Sequence, residues 1–316
     1  MEYITLGHSA LRVSRLCVGG CPMGGYGWGR VREPELLAAV YGALDAGLNF
    51  FDTADVYGLG QSERTLGKAL AGRRDCAVIA TKGGVRVENG RTFYDNSPKW
   101  LQTACEASLR RLQTDHVDLY QIHYRDDTPM DAVMEVLENL RTQGKIRYFG
   151  LSNVGKDRLS ELMPYRGAFA AVQLEYSLAR RAREGDLRTL AQALELTPMT
   201  WGSLGQGVLT GKYGPDTSFG ADDRRSREIY GNFHGEGLAR NLEIVDTLRR
   251  IACARGKTPA ETAVRFILDL LPGSVAICGV KRPEQLLTGA LDWQLSGEER
   301  AILQDISKDG RKRNDK

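Results

Sequence analysis

Several residue types that mark particular protein classes are scarce in this sequence, and each scarcity excludes a class. Only six cysteines occur among 316 residues and none forms a Cys-x-x-Cys pair, so neither a disulfide framework nor a zinc site is predicted. The four histidines are too far apart in sequence to indicate another metal site. No apolar run approaches the roughly 20 residues that cross a bilayer, and the first residues lack the apolar core of a signal peptide. We therefore expect a reduced cytoplasmic protein without structural metal.

The sequence also has little excess of charge of either sign. The formal net charge is only +3, and no basic stripe is interleaved with aromatic residues. We therefore expect no nucleic-acid partner and no membrane partner, and we leave the oligomeric state open. The basic last residues, KDGRKRNDK, are predicted to be part of a solvated, frayed tail over about 307–316.

The apolar segments that are present alternate with helical patterns, which is typical of a parallel sheet with crossover helices. After a small N-terminal hairpin, short strands are predicted near residues 16–18, 48–51, 76–80, 117–122, 146–151, 171–174, 198–201 and 274–278. Apolar spacing predicts helices at 33–46, 62–70, 98–112, 130–143, 155–163, 184–195, 238–255, 259–269, 283–290 and 296–306. Eight such strand-and-helix units fit a closed (β/α)8 TIM barrel better than an open sheet.

No linker divides this pattern, so residues 1–316 are predicted to form a single barrel domain. The stretch 202–237 has no strong periodicity and is predicted to be a long loop over the C-terminal mouth of the barrel. Loops of that length are usually functional or mobile. The Gly-rich segment GGCPMGGYGWG does not have the spacing of a dinucleotide-binding fingerprint, so we interpret it as a tight loop.

Four polar residues follow three consecutive predicted strands. Asp52 comes directly after a pair of phenylalanines, Tyr57 follows five residues later, and Lys82 and His123 end the next two strands. Each has an ordinary explanation as a turn residue, a packing aromatic, a surface cation or a core histidine. Because active sites of such barrels lie at the carboxyl ends of the strands, we expect all four in one mouth.

Together the four residues form a chemically sensible acid catalyst. A tyrosine has an unperturbed pKa of about 10, and a cation within about 4–6 Å lowers it by favouring the phenolate. Lys82 is predicted to be that cation for Tyr57, held charged and oriented by Asp52. His123 is predicted to hydrogen-bond the carbonyl oxygen of a substrate. Such machinery suits protonation of an alkoxide as hydride arrives at carbon.

Seven segments carry a resemblance to a known family: FDTADVYGLGQSE (51–63), ATKGG (80–84), DLYQIH (118–123), GKIRYFGLSN (144–153), VQLEYSL (172–178), LTGKY (209–213) and GVKRPEQL (279–286). From Tyr3 to about Asp305 the sequence resembles the aldo-keto reductases. It is most similar to the subgroup with bacterial inositol-dehydrogenase-like and potassium-channel β-subunit-like members. The resemblance implies that Tyr57 is the general acid/base, tuned by Asp52 and Lys82, and that His123 orients the carbonyl.

The resemblance also implies that NADP(H) binds across the barrel mouth without a Rossmann domain. Ser152, Asn153 and Gln173 would hold the carboxamide through matching donors and acceptors, and Trp201 would stack on the nicotinamide, where the family usually has Tyr. The other implied cofactor contacts are Cys21, Ser203, Leu204, Gly205, Gly207, Lys212, Arg224, Gly279, Lys281, Arg282 and Gln285. Two of these, Lys281 and Arg282, offer cations for a 2′-phosphate, which favours NADP over NAD.

Two departures from the family pattern are visible. The segment Trp201-Gly202-Ser203-Leu204 replaces the usual Tyr-x-Pro-Leu, so we expect a looser loop beside the pyrophosphate. Gly289 replaces the usual Asn, which removes one expected contact to adenine and predicts a lower cofactor affinity.

The substrate is the least defined part of the prediction. The pocket rim is predicted to include Tyr26, Trp28, Phe93, Tyr124 and Arg125, which suit a sugar-like or polyol compound as well as an aromatic aldehyde. The main hypothesis is NADPH-dependent reduction of an aldehyde or ketone, with keto-sugars and keto-inositols among the candidates. The alternative is an NADPH-binding, redox-sensing regulatory subunit with slow turnover. An aldolase using Lys82 as a Schiff base is disfavoured, because Asp52 would keep the amine charged.

Overall fold

The computed structural model describes residues 1–308 of the protein. The predicted frayed tail lies outside that range apart from Ser307, which is buried, and Lys308. The strands are β1 (Tyr3–Thr5), β2 (Arg12–Ser14), β3 (Leu16–Gly19), β4 (Phe50–Asp52), β5 (Val78–Gly83), β6 (Val85–Glu88), β7 (Arg91–Tyr94), β8 (Val117–Ile122), β9 (Ile146–Ser152), β10 (Phe169–Glu175), β11 (Thr197–Trp201) and β12 (Val275–Gly279).

Helices connect the strands at nearly the predicted positions. They are α1 (Glu33–Asp45), α2 (Gln61–Leu70), α3 (Pro98–Leu112), α4 (Met130–Thr142), α5 (Leu159–Leu162), α6 (Glu184–Leu194), α7 (Gly235–Arg255), α8 (Pro259–Leu270) and α9 (Gly297–Ile306). The N-termini of α8 and α9 each carry a capping box. In it, the side chains of Thr258 and Ser296 accept a hydrogen bond from the backbone N–H of the third residue of the helix. None of these helices is long and apolar enough to cross a membrane.

Eight parallel strands close into a barrel in the order β3, β4, β5, β8, β9, β10, β11, β12 and back to β3. The TIM-barrel prediction is therefore confirmed. The barrel strands are almost entirely buried because helices cover their outer face and side chains fill the interior. The predicted N-terminal hairpin, β1 and β2, is also present.

Apolar side chains fill the interior below the mouth. The cluster includes Cys17, Phe50, Leu119 and Met199 from four barrel strands, joined by residues of the N-terminal hairpin segment such as Leu6. The hairpin thus closes the bottom of the barrel. Polar side chains at the carboxyl ends of the strands therefore face the opposite end of the barrel, its mouth.

The structure departs from the sequence predictions at three places. The helix predicted at 283–290 is wrong: that segment contains only the short 3-10 turns Pro283–Gln285 and Thr288–Ala290. The β6–β7 hairpin was not predicted. The 202–237 segment does cross the mouth side as an excursion, but it contains 3-10 turns and a packed aromatic cluster of Tyr213, Phe219 and Phe233.

Candidate active site

A buried ion pair lies at the centre of the mouth. The Lys82 ammonium donates to Asp52 Oδ1 at 2.6 Å and to the Thr53 carbonyl at 2.8 Å, and its side chain is fully buried. The second carboxylate oxygen of Asp52 accepts from Gln121 at 3.0 Å and from Gln173 at 2.8 Å. Buried charges need such complete hydrogen bonding, because an unpaired one is costly to remove from water. The arrangement fixes the ammonium in one position.

Tyr57 lies over this pair. Its phenol oxygen is 3.4 Å from Lys82 Nζ, and the same ammonium is 5.0 Å from the ring centroid. The loop that carries Tyr57 is held against the loop after β3 by a close approach of Gly24 and Gly58. A Cβ on Gly58 would stand 2.0 Å from the Gly24 carbonyl oxygen, so both positions require glycine. The structure therefore brings three predicted residues, Asp52, Tyr57 and Lys82, together.

The pKa of Tyr57 differs from the prediction. Burial raises it well above its usual value near 10, and the neighbouring Cys21 and Asp52 raise it further. The pKa does not fall below its usual value as predicted, because burial outweighs the contact with the Lys82 ammonium. The ammonium is closer to Asp52 than to the phenol, so the carboxylate offsets much of its field at Tyr57.

His123 completes the predicted set of four. Its ring meets that of Tyr57 edge to face, with 6.1 Å between centroids. Burial, and next the charge of Lys82, lowers the pKa of His123 well below 6.5, so the ring is neutral at physiological pH. Its Nδ1 is buried and has no hydrogen-bond partner among residues 1–308.

The residues predicted to hold the carboxamide form one connected group. Asn153 adopts a left-handed backbone conformation and donates to the His123 carbonyl and to Ser152 Oγ, each at 3.1 Å, while Trp201 donates to Asn153 Oδ1 at 3.0 Å. Gln173 uses its amide nitrogen on Asp52 and on Gln121 Oε1. The side chain of Gln173 can therefore offer a ligand only its carbonyl oxygen.

Several cations converge beside the end of β12. The ammonium of Lys281 is half-buried and donates to the Trp28 carbonyl. Burial lowers its pKa, as do the charges of Arg225, Lys212 and Arg282, whereas Asp223 opposes them. At Lys281, three neighbouring cations are thus opposed by the carboxylate of Asp223. That excess of positive charge fits a phosphate, which would relieve the repulsion among them.

Other predicted cofactor contacts have mixed placements. Ser203 is buried and donates to the Thr200 carbonyl at 2.9 Å, so its hydroxyl is turned into the protein. Gln285 accepts from the Lys281 backbone N–H at 2.8 Å and holds that turn. The guanidinium of Arg224 lies over the Tyr26 ring, 4.8 Å from its centroid. Cys21 is half-buried, and burial raises the pKa of its thiol.

The glycines implied as cofactor contacts line close approaches. A Cβ on Gly279 would lie 2.9 Å from the Pro22 ring, and Gly207 has a φ of 104°, which an L side chain rarely adopts. A Cβ on Gly205 would likewise lie too close to Ala179. The neighbouring Leu204 is partly buried, whereas Lys212 is exposed. Glycine is required at Gly279 and Gly205 because neighbouring parts of the protein pack directly against the backbone there.

Gly289, the second departure from the family pattern, has a structural reason. A Cβ at this position would stand 2.2 Å from Glu261 Oε1, and Glu261 is fixed by the capping box of α8. No asparagine side chain can be accommodated there without disrupting that cap.

The predicted substrate rim is only partly present. Tyr26 and Phe93 are about half exposed at 54% and 46%, and Trp28 meets Tyr230 edge to face at 6.0 Å. Tyr124 stacks on His123 at 5.0 Å. The prediction for Arg125 is wrong. Its side chain is 3% exposed, because it bonds Asn96, the Thr128 carbonyl and Glu161 beneath the surface.

Sequence reasoning missed two aromatic residues of the mouth and one link in the cofactor loop. Tyr94 and Tyr230 pack against Tyr124 and Trp28. Asn89-Gly90, both with positive φ, is a hairpin signal flanked by alternating residues, and it would have located Tyr94. Gln206, which donates to Glu175 at 3.1 Å, gave no recognisable signal.

Comparison with known proteins agrees with this geometry. The model of the aldo/keto reductase family matches residues 15–308. Aldo-keto reductase YhdN of Bacillus subtilis is 33% identical over 312 residues, covering 97% of this chain and 93% of that protein.

Two solved structures are similar over nearly the whole chain. Glycerol dehydrogenase AKR11B4 from Gluconobacter oxydans has a TM-score of 0.86 at 33% identity, covering 96% of this chain and 94% of the other. An aldo-keto reductase from Klebsiella pneumoniae in complex with NADPH has a TM-score of 0.74 at 29% identity, covering 97% and 96%. The chain therefore belongs to the aldo-keto reductase family and is an NADP(H)-dependent oxidoreductase.

Proposed function

We propose that the protein reduces an aldehyde or ketone to the alcohol, with Tyr57 as the proton donor. The supporting observation is the buried ammonium of Lys82, which contacts both Asp52 and the Tyr57 phenol at the open end of the barrel. A phenol in contact with a fixed cation can lose its proton to an alkoxide, because the ammonium stabilises the phenolate that remains.

Bound NADPH supplies the hydride that the carbonyl carbon accepts. Tyr57 gives its phenolic proton to the carbonyl oxygen and is left as a phenolate beside Lys82. Asp52 keeps that lysine charged and in place. The phenol of Tyr57 is protonated at neutral pH, as a proton donor must be, and burial keeps it so in the free protein.

His123 is suited to orient the substrate oxygen. A neutral imidazole carries one N–H, and a proton on Nδ1 would be a buried donor without an acceptor. The proton is therefore better placed on Nε2. From there His123 can donate to the carbonyl oxygen that Tyr57 protonates.

The residues present fit NADP(H). The Gln173 carbonyl, Ser152 and Asn153 would hold the carboxamide, with Trp201 beside the nicotinamide ring. Lys212, Lys281 and Arg282 would neutralise the phosphates. The fit rests on the group of cations around Lys281, whose mutual repulsion a phosphate would relieve.

For the substrate, we favour a small carbonyl compound related to a polyol, such as a keto-sugar or keto-inositol. Tyrosines dominate the mouth, and a ring with a phenol group can pack against sugar C–H groups while hydrogen-bonding hydroxyls. The similar structure from Gluconobacter oxydans is that of a glycerol dehydrogenase, which supports the same class.

A screen of NADPH consumption over aldehydes, keto-sugars and keto-inositols tests this function, with Tyr57→Phe as the decisive variant. We expect turnover to fall by about 10²–10⁴-fold, the usual effect of losing a general acid, while NADPH binding measured by fluorescence titration is retained. Tyr41→Phe, at an exposed position on α1, is the control. Near-normal turnover in Tyr57→Phe would remove the proposed mechanism.

One observation favours the alternative of a slow, NADPH-sensing regulatory protein. The excursion contacts the loop after β3: the Arg224 N–H donates to the Gly27 carbonyl at 3.0 Å, and Arg227 donates to the Tyr26 phenol at 3.3 Å. Such a strap over bound cofactor would slow its release. A kcat far below about 1 s⁻¹, the low end for typical enzymes, with every carbonyl tested would favour this alternative.

A further inference from the structure

Three aromatic rings form a stack that leads from the surface hairpin to the site. The Tyr94 ring lies 4.6 Å from that of Tyr124 at an interplanar angle of 13°. The Tyr124 ring lies 5.0 Å from that of His123 at 22°. The other contact of His123 is the edge-to-face one with Tyr57. The imidazole is therefore held between a stack on one side and the phenol on the other.

The usual means of fixing a catalytic histidine is missing from the part of the chain that the structure describes. Such a ring is normally oriented by a hydrogen bond at the nitrogen that does not face the substrate. Here Nδ1 is buried without a partner, and Asn153 bonds only the backbone carbonyl of His123. Ring contacts are what remain to set the plane of the imidazole.

The hairpin holds Tyr94 in position for this contact. Asn89 and Gly90 form its turn with φ values of 50° and 75°, and Val85, which is buried, pairs with Tyr94 across the two strands. The Asp95 N–H then donates to the Gly84 carbonyl at 3.0 Å and closes the base. Tyr94 itself is 51% exposed, so it contributes to the stack without belonging to the core.

We propose that Tyr94 and Tyr124 are positioning residues for His123, and that the β6–β7 hairpin exists to brace the imidazole through this stack. The inference rests on the proposed function, in which His123 orients the substrate oxygen. A ring free to tilt would point its N–H away from the carbonyl, lowering kcat more than the affinity for NADPH.

The stack also shields His123 from water, which gives a readout that does not depend on turnover. The charged and titratable groups facing His123 are Lys82 and Tyr57, and those facing its neighbour Tyr124 are Tyr94, Glu175 and Tyr230. None of them is a carboxylate acting on His123 directly. Opening the stack should therefore hydrate the imidazole and return its pKa towards the ordinary value near 6.5.

The test compares Tyr94→Leu with Tyr94→Phe in the full chain, using glyceraldehyde as the carbonyl probe. Tyr94→Leu should lower kcat by roughly three- to tenfold, as expected for an aromatic pair, with the KM for NADPH unchanged. The NMR titration of the His123 ring should move to higher pH, and the acid limb of the rate profile should move with it. Tyr94→Phe should restore both. Arg91→Leu, at an exposed position on the opposite face of the hairpin and outside the predicted substrate rim, is the control.

Two results would overturn the inference. One is an unchanged His123 titration and kcat in Tyr94→Leu. The other is an equal loss in Arg91→Leu, which would show a general effect of the hairpin. The NMR arm needs no activity, so it separates this inference from the proposed function, which fails instead if Tyr57→Phe turns over normally.

Discussion

Asp55 is a carboxyl group that the proposed reaction does not use, although it stands two residues before Tyr57. Burial raises its pKa to about 8, and the nearby charge of Glu63 adds to the shift, against the opposing effect of Arg111 and Lys82. Its Oδ1 has no hydrogen-bond partner among residues 1–308. Glu63 is itself fully buried and bonded by Thr81 and Arg111. The folded protein consequently holds a proton on Asp55 that the unfolded chain would release.

Asp55→Asn should therefore change the pH dependence of stability. In the folded wild type the pKa of Asp55 is raised to about 8. Between about pH 4 and pH 8 the unfolded chain therefore releases this proton while the folded protein keeps it, so the free energy of unfolding falls as pH rises. Above about pH 8 both states are ionised and this contribution no longer changes. The variant does not titrate there. We expect its thermal midpoint to exceed that of the wild type by more at pH 9 than at pH 5.

Calorimetry across this range measures the effect, with Asp127→Asn at a fully exposed position as the control. A difference between Asp55→Asn and the wild type that does not vary with pH would contradict this account.

At the scale of single elements, the end of β12 is predicted to select the cofactor. Replacing Lys281 and Arg282 together by alanine should raise the KM for NADPH at least tenfold and that for NADH little, because a charge-assisted contact to the 2′-phosphate is lost. Arg110→Ala, exposed on the outer face of α3, serves as the control. Equal losses for both cofactors would mean that these cations do not read the 2′-phosphate.

The excursion from 202 to 237 is predicted to tighten over the cofactor. Its glycines disfavour a single conformation by propensity, yet Arg225 bonds Asp223 at 2.8 Å and lies 4.5 Å above the Phe219 ring. These contacts anchor one part of the loop, whereas, among residues 1–308, Lys212 and Arg224 contact only aromatic rings through their charged groups and could turn towards a phosphate.

Hydrogen exchange over residues 210–232, with and without saturating NADPH, measures this response. We expect slower exchange with NADPH, and slow cofactor release that limits turnover. Exchange in α4, on another side of the barrel, should not change and provides an internal reference. Identical protection of the loop in both conditions would leave it without a role in capturing the cofactor.

At the scale of the whole molecule, a buried arginine joins the two ends of the described chain. Arg265 on α8 is 1% exposed and pairs with Glu2 at 2.7 Å and with Asp269 at 2.8 Å. Asp269 in turn accepts the Leu295 N–H at 2.8 Å, just before α9. The N-terminal hairpin that closes the barrel is thus tied to the C-terminal segment.

Arg265→Ala should lower the free energy of unfolding by about 3–5 kcal/mol, because the buried carboxylate of Asp269 loses its cation. Arg249→Ala breaks an exposed pair with Asp246 and should cost less than about 1 kcal/mol. Chemical denaturation measures both. Similar values for the two variants would show that the buried network does not hold the ends of the barrel together.

The sequence by itself determined the barrel and the chemical residues of its mouth. Alternating apolar strands and helices can bury their faces in few ways, and polar residues directly after buried strands must emerge at the carboxyl end. That is why the sequence alone predicts that Asp52, Tyr57, Lys82 and His123 lie together. Element boundaries marked by local signals, such as Pro98 at the start of α3, were also predictable.

Tertiary structure decided what those residues and segments experience. The pKa of Tyr57 is raised where the sequence predicted that it would be lowered, because the phenol is buried and Asp52 pairs closely with Lys82. Arg125 is buried in a hydrogen-bond network that includes Asn96 and does not line the rim. Glu261 lies so close to Gly289 that no side chain fits there. Each outcome depends on atoms distant in sequence, since dielectric environment and steric space are set by neighbours that only the folded chain brings together.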